Sequence, residues 1–286
     1  MDLEGLKIEP VVRLNHTPGI YDISNDEYHN SHAISRSMLM DFKKNPYYYW
    51  YKYHSGKFEK ESPTSVMNLG SAVHTLVLEP IKFDSQFHII HQKTRPKRGT
   101  APYARMIKEA RGKIILINSE YLQAFAMAKS ILDNAEAYAL LLDSKIEQSI
   151  FFKHESTGLM CKTRPDAWAN GLVIDVKTSA DARLKSFQSS CINFGYFLQA
   201  GMMHEGLRQI GQPMKQFAFI VVEKEPPYSV AIYTLSDDCL DYGINQFHAL
   251  IEGLNKCIES DKWPSYGIRE LKLPRFALFD ELPEIE

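Results

Sequence analysis

The chain has 286 residues and a mass of 32.8 kDa, with 44% apolar and 24% charged residues, enough to bury a sizeable core. Its 33 Lys and Arg against 35 Asp and Glu give a formal net charge of −2, which excludes a globally basic molecule; an anionic partner needs a local basic surface. No apolar run is long enough to span a bilayer, and the acidic start Met1-Asp2-Leu3-Glu4 does not read as a signal peptide.

Cys161, Cys191, Cys239 and Cys257 show neither CxxC spacing nor a tight cluster, so reduced thiols of a cytoplasmic protein are expected. Residues 1–20 read as a loosely held lead-in and residues 21–286 as a single domain. Ser35 to Trp50 is helix-like, with Ser35 or Ser37 as the cap and Pro46 as the end or a kink. An aromatic cluster follows: Tyr47, Tyr48, Tyr49, Trp50, Tyr51 and Tyr53. Asn68 to Leu78 is a second helix, closed by Pro80. Residues 93–101 form a basic loop, and Ser119 to Leu142 one long helix.

From about residue 146 the period changes to two. Glu147–Lys153, Met160–Ala169 and Leu172–Thr178 read as consecutive strands. Helical stretches near 181–190 and 194–209 follow, then strands Gln216–Glu223 and Tyr228–Thr234, and a last helix over about Asp237–Glu259. This order predicts an α/β fold with a mixed central sheet flanked by helices.

The most informative stretch is Arg164-Pro165-Asp166-Ala167-Trp168-Ala169-Asn170-Gly171-Leu172-Val173-Ile174-Asp175-Val176-Lys177-Thr178. Asn-Gly between apolar runs signals a two-residue hairpin. Counting outward from the turn, Trp168 faces Val173, Ala167 faces Ile174, and Asp166 faces Asp175. Opposed carboxylates at that spacing repel unless one is protonated or a cation lies between them. Lys177 falls on the same face by strand alternation. Pro165 lies opposite Val176 at a rung that needs its missing N–H, which frees the Val176 carbonyl as a further ligand for a hard cation. The acids also fit solvent-facing strand ends with Lys177 as salt-bridge partner. The apolar run Leu172-Val173-Ile174 instead favours a covered strand, where ionised groups need pairing or a metal.

The string Arg-Pro-Asp…Ile-Asp-Val-Lys-Thr resembles the PD-(D/E)xK nuclease signature. Leu69-Gly70-Ser71-Ala72-Val73-His74 resembles the histidine-bearing helix of its RecB-like branch. Tyr196-Phe197-Leu198-Gln199 resembles the helical motif that follows the DxK strand there. From about Gly19 to Phe276 the chain is most similar to the RecE (exonuclease VIII) catalytic family. Further matches are Ile34-Ser35-Arg36-Ser37, Gly70 to Pro80, Trp263-Pro264 and Leu273-Pro274-Arg275-Phe276.

The resemblance implies 5′→3′ digestion of one strand of linear double-stranded DNA, independent of ATP, leaving 3′ single-stranded tails for recombination. It also implies a phage or prophage origin, a RecT-like annealing partner and a ring-shaped homo-oligomer. His74, Asp166, Asp175 and the Val176 carbonyl are expected to hold Mg²⁺ or Mn²⁺. Lys177 is expected to position the attacking water and stabilise the transition state, with Tyr196 and Gln199 orienting that end of the site or touching DNA. Glu147 matches an acid of RecE-like sequences and serves as an accessory acid or as a solvated strand-edge residue.

Arg164, Lys162 and Lys185, with loop residues Lys93, Arg95, Lys97 and Arg98, are the cations available for phosphate, although basic loops are usually just solvated. Charge reversal at Arg95 and Lys97 is expected to weaken DNA binding. Alanine at Asp175 or Lys177 is expected to abolish cleavage with the fold intact. Some relatives hold an iron–sulfur cluster with cysteines grouped near the C-terminus; that grouping is missing here, and no cluster is expected. The residues alone leave open an endonuclease or single-strand nuclease of the same superfamily, a non-catalytic DNA-binding paralogue, and an unrelated protein with a structural ion.

Overall fold

A computed structural model describes residues 16–59, 64–91 and 94–273. A five-stranded mixed sheet forms its centre, in the order β10-β9-β8-β7-β4. Its strands are β4 (Lys145–Ile146), β7 (Ala167–Ala169), β8 (Leu172–Ser179), β9 (Gln216–Glu223) and β10 (Val230–Thr234). β8 and β9 run parallel along their whole length, Leu172 beside Gln216 through Ser179 beside Glu223, while the other neighbours are antiparallel. The central strands β8 and β9 have apolar side chains buried on both faces, as their continuous apolar runs require.

A second sheet, β1-β5-β6, joins β1 (Gly19–Tyr21), β5 (Ser149–Lys153) and β6 (Met160–Thr163). The predicted three-strand meander is therefore split. The chain leaves the five-stranded sheet after β4, makes the β5-β6 hairpin, and returns at β7. Both crossings occur where backbone geometry forbids a continuous strand. Glu147 has φ of 51°, and Pro165 has no N–H to donate. Gly19 and Ile20, expected in the lead-in, pair with Phe151 and Ile150.

The Asn170-Gly171 turn forms as expected, with both residues at positive φ, 51° and 88°. These values suit the type I′ turn that matches strand twist. Ala169 pairs with Leu172, Trp168 with Val173 and Ala167 with Ile174, the register counted from sequence.

Helices cover both faces of the central sheet. One face carries α4 (Ser65–Leu78) and α7 (Asn118–Asp133), packed on Ala167, Ile174, Val176, Ile220 and Val222. The other carries α2 (Arg36–Lys44), α9 (Leu184–Asn193), α10 (Tyr196–Gln209) and α11 (Asp237–Ser260), around Trp168, Val173, Phe217, Phe219 and Val221. The Ser35–Trp50 stretch divides at Asn45-Pro46, where Pro46 was expected to end or kink it, and the Asn45 side chain caps α3 (Pro46–Tyr53) by accepting from Tyr48 N at 3.1 Å. The predicted Ser119–Leu142 helix breaks at Asn134, which caps α8 (Ala135–Leu141). Both are short polar side chains that offer the backbone an alternative partner.

Sequence periodicity missed the parallel pair β2 (Phe87–Ile90), which follows α5 (Phe83–Gln86), and β3 (Ile114–Ile117), joined through α6 (Ala101–Ala110). Four-residue apolar runs of this kind do not separate strand from helix. Among the described residues, no helix is long and apolar enough to cross a membrane.

The crossing of α10 and α11 fixes where α10 presents its first turn. A Cβ at Gly243 would lie 2.0 Å from the Phe197 carbonyl oxygen, and one at Gly201 would lie 2.4 Å from the Gly243 carbonyl carbon. Only glycine at both positions lets the two backbones meet, and that contact seats Tyr196 and Gln199 against β8.

Candidate active site

The site lies where the chain passes between the two sheets. His74, Glu147 and Asp166 each bring a ligand atom into a cluster whose members all lie within 4.8 Å of one another. His74 arrives on α4, Glu147 at the exit from β4, and Asp166 at the return into β7. His74 Nδ1 is 3.4 Å from Asp166 Oδ2. The Glu147 N–H donates to the Asp166 carbonyl at 3.1 Å, so the two acids are tied through backbone as well.

Asp166 meets Val176 differently from the expected ladder. Pro165 stands where the next rung would form, and Asp166 Oδ2 accepts the Val176 N–H at 2.7 Å in its place. Among the described residues, no hydrogen bond outside the strand ladders ends on the Val176 carbonyl.

Asp175 is fully buried, and its carboxylate is divided between two partners. Gln199 Nε2 donates to Oδ1 at 2.6 Å, and Lys177 Nζ forms an ion pair with Oδ2. Lys177 Nζ also lies 4.7 Å from the centroid of the Tyr196 ring. Asp175, expected as a direct ligand, is not among the three residues that converge within 4.8 Å; its carboxylate is engaged by Lys177 and Gln199. The physical reason is the ammonium: a buried carboxylate takes the nearest cation.

Electrostatics mark the cluster as short of positive charge. Burial, then the Asp175 charge, pushes the Asp166 carboxyl up to about 6 despite His74, Lys177 and the Val176 N–H. Burial, then the Asp166 charge, pushes Glu147 up to about 8, with Arg164 opposing. Burial alone would depress Lys177, but Asp175 and Asp166 outweigh it and raise its pKa. Among the described residues, the buried Gln199 Oε1 finds no hydrogen-bond partner. Two carboxylates and an imidazole that converge without enough cation form a donor set suited to a divalent metal ion.

The predicted cationic residues divide sharply. Lys162 is 3% exposed, and its ammonium donates to Tyr28 O at 2.6 Å, Ser31 O at 2.9 Å and Ser31 Oγ at 3.0 Å. It closes the end of α1 (Asn25–Asn30) and, with its ammonium committed to these acceptors, lines the wall of the cleft that also holds Arg164. Arg164 donates to Ser149 Oγ and Ile23 O, packs on the Tyr28 ring, and approaches Glu147 at 3.9 Å. Arg95 donates to Glu120 at 2.8 Å and to Ile115 O. Lys97, Arg98 and Lys185 are exposed. Lys93, Pro274, Arg275 and Phe276 lie outside the described residues.

One position after His74, Thr75 Oγ1 donates to Gln86 Oε1 at 3.1 Å. A Cβ at Gly70 would meet only Thr178 Oγ1, at 3.8 Å, so packing within this chain does not demand glycine there. Arg36 was not singled out from sequence as a site residue. It lines, with Ser35, Ser37, Arg164 and Gln199, a cleft of about 210 Å³ beside the site. Its guanidinium is steadied by the Phe194 carbonyl. The Ile34-Ser35-Arg36-Ser37 segment held the signal.

Residues 35–270 match the family described as a PDDEXK-like domain of unknown function, DUF3799, and the chain belongs to that family. Its mixed sheet with flanking helices is the corresponding fold. The fold is shared with the crystal structure of a candidate exonuclease from Eubacterium rectale at 14% identity and a TM-score of 0.64, over 92% of this chain and 100% of that one. A partial likeness, with a TM-score of 0.28 and 14% identity, is to an alkaline exonuclease from Laribacter hongkongensis, over 57% of this chain and 85% of that one. No curated protein matches the chain.

Proposed function

We propose that this protein is a divalent-metal-dependent deoxyribonuclease that degrades one strand of linear double-stranded DNA from its ends, 5′→3′ and without ATP. The observation that carries the hydrolytic reading is the convergence of His74, Glu147 and Asp166 beside the buried Lys177–Asp175–Gln199 chain. Digestion from ends, its polarity and the 3′-tailed product rest on the resemblance to RecE-like nucleases.

In this reading His74, Glu147 and Asp166 would hold the ion, and Asp175 and the Val176 carbonyl, the ligands expected from the hairpin register, would complete the set. A divalent ion bound there would supply Lewis acidity toward a water and offset charge on the phosphate. Lys177 is kept protonated by Asp175, so it works as a donor to the attacking water and the phosphate oxygens, not as a general base. Tyr196 holds the ammonium under its ring, and Gln199 fixes Asp175 from the opposite side. Arg36 and the hydroxyls of Ser35 and Ser37 line the adjoining cleft, where a backbone phosphate of the substrate fits. A RecT-like annealing partner, a ring-shaped homo-oligomer, a phage or prophage origin and a cytoplasmic location complete the reading.

Mg²⁺ with duplex DNA labelled separately at each end, linear beside covalently closed circular, tests it. Release of the 5′ label from linear DNA with intact circles is expected. Cut circles would make the protein an endonuclease, and no cleavage of any substrate would leave a DNA-binding paralogue.

A further inference from the structure

The aromatic cluster of α3 is not absorbed by the active site, and its arrangement is unusual for a surface. Tyr47 is 49% exposed, Tyr51 37% and Tyr266 69%. Together with Lys44 and Tyr48 they line a shallow cleft of about 240 Å³. The cleft is built by long-range contacts. Trp263 stacks on Tyr49 from below, with centroids 5.7 Å apart and planes at 15°. The Tyr47 N–H donates to Pro264 O, and Asn45 Nδ2 donates to Ser265 Oγ. The extended tail is thereby fixed along α3, and Tyr266 emerges opposite Tyr47 and Tyr51. Tyr47 is backed by Trp50 in a parallel stack at 5.5 Å.

Charge identifies the occupant. Residues 43–59 carry Lys43, Lys44, Lys52 and Lys57 against the single acid Glu59. Lys52 pairs with Asp41, while Lys44 Nζ lies 4.6 Å from the Tyr48 centroid. Lys43, Lys44 and Lys57 form no ion pair with a described carboxylate. Exposed ring faces rimmed by uncompensated ammonium groups match a polyanion that carries flat apolar groups, not an apolar peptide.

We propose that this face is a stacking platform for single-stranded DNA, with bases on Tyr47, Tyr51 and Tyr266 and phosphates on Lys43 and Lys44. Duplex DNA hides its base faces, so the platform takes an unpaired strand. Its position deepens the nuclease reading, on which that use of the platform rests. Arg36, in the cleft beside the active site, begins α2, and Lys44 ends it. The helix is 9 residues long and so spans about 13 Å, a distance that a few nucleotides cover. A strand separated at the active site would reach the platform directly.

The test is fluorescence anisotropy with a labelled oligo-dT of about twelve nucleotides in EDTA, where nothing is cleaved. The wild-type chain should bind. Tyr47→Ala, Tyr51→Ala and Tyr266→Ala combined should weaken binding about tenfold or more, whereas the three phenylalanine replacements should stay close to wild type, since stacking needs the ring alone. Lys43→Glu with Lys44→Glu should weaken binding and flatten its salt dependence. An iododeoxyuridine probe should cross-link to peptides containing Tyr51 or Tyr266. The phenylalanine set also controls for folding.

Undetectable wild-type binding, or alanine and wild-type proteins of equal affinity, overturns the proposal. An alanine variant that loses self-association but keeps oligo-dT affinity assigns the face to a second copy and also overturns it. Wild-type cleavage is scored separately, so a protein that cuts nothing yet loses oligo-dT affinity on alanine substitution keeps the platform and loses the nuclease reading.

Discussion

The Asp166 carboxylate takes the Val176 N–H at 2.7 Å, so a side chain fills the sheet rung that Pro165 cannot complete. The same carboxylate belongs to the His74–Glu147–Asp166 cluster. Structure and chemistry therefore draw on one residue, and substitutions at Asp166 should separate them.

Asp166→Asn keeps an acceptor for the Val176 N–H and removes a buried charge that repels Asp175. Thermal unfolding of the metal-free variant should match or exceed wild type while DNA cleavage is lost. Asp166→Ala leaves the buried N–H without a partner and should unfold earlier, by about 1–3 kcal/mol. Equal melting temperatures for the two variants would show that the hydrogen bond contributes nothing.

The Lys177–Asp175 pair predicts a different pattern from the expectation that alanine leaves the fold intact. Asp175 is fully buried, and the Lys177 side chain is 15% exposed. Lys177→Ala strands a buried carboxylate, a cost on the order of 3–5 kcal/mol. Adding Asp175→Asn should restore most of the stability and none of the activity. Denaturant titrations of the two single variants and the double variant measure this, and additive losses would contradict it.

Acid–metal linkage has a definite sign. Asp166 rises from 3.8 to about 6 and Glu147 from 4.5 to about 8, so the folded metal-free protein favours their neutral forms. Their contribution to stability is full below about pH 4 and is lost as pH climbs towards 8. Mg²⁺ binds the ionised forms, so its stabilising shift in melting temperature should grow from pH 5 to pH 8. Glu147→Gln should reduce that growth. A shift independent of pH would remove Glu147 and Asp166 from the ligand set.

At the helix crossing, Gly243→Ala would place a methyl 2.0 Å from the Phe197 carbonyl oxygen. The helices must part, at about 1–3 kcal/mol, and Tyr196 and Gln199 move with α10. Urea denaturation should show the loss, and cleavage should fall although residue 243 contacts neither Lys177 nor Asp175. Wild-type activity in a destabilised Gly243→Ala protein would show that the crossing does not position the site.

The hairpin was legible because Asn170-Gly171 fixes its own register and every opposed pair follows by counting. Residues whose roles depend on distant backbone were not. Lys162 sits on a strand beside other polar residues, and its carbonyl partners lie more than a hundred positions earlier. Glu147 was expected as an accessory acid only through resemblance; its left-handed backbone, which turns the chain out of one sheet and brings the carboxylate to Asp166, leaves no trace in local pattern. Arg36 followed a helix cap and looked like an ordinary first-turn residue. Asp175 was placed on the correct face, but Gln199 arrives from α10 and engages its carboxylate from outside the hairpin.

The split between the two sheets gives the cluster a mechanical meaning. Glu147 and Asp166 stand at the two doorways through which the chain enters and leaves the β5-β6 hairpin, and His74 reaches them from a helix on the opposite flank. An ion seated among them would act as a rivet joining helix α4 to both ends of the hairpin excursion. Loading it should slow amide exchange in β5 and β6 as well as at the ligands, making the whole small sheet a reporter of occupancy.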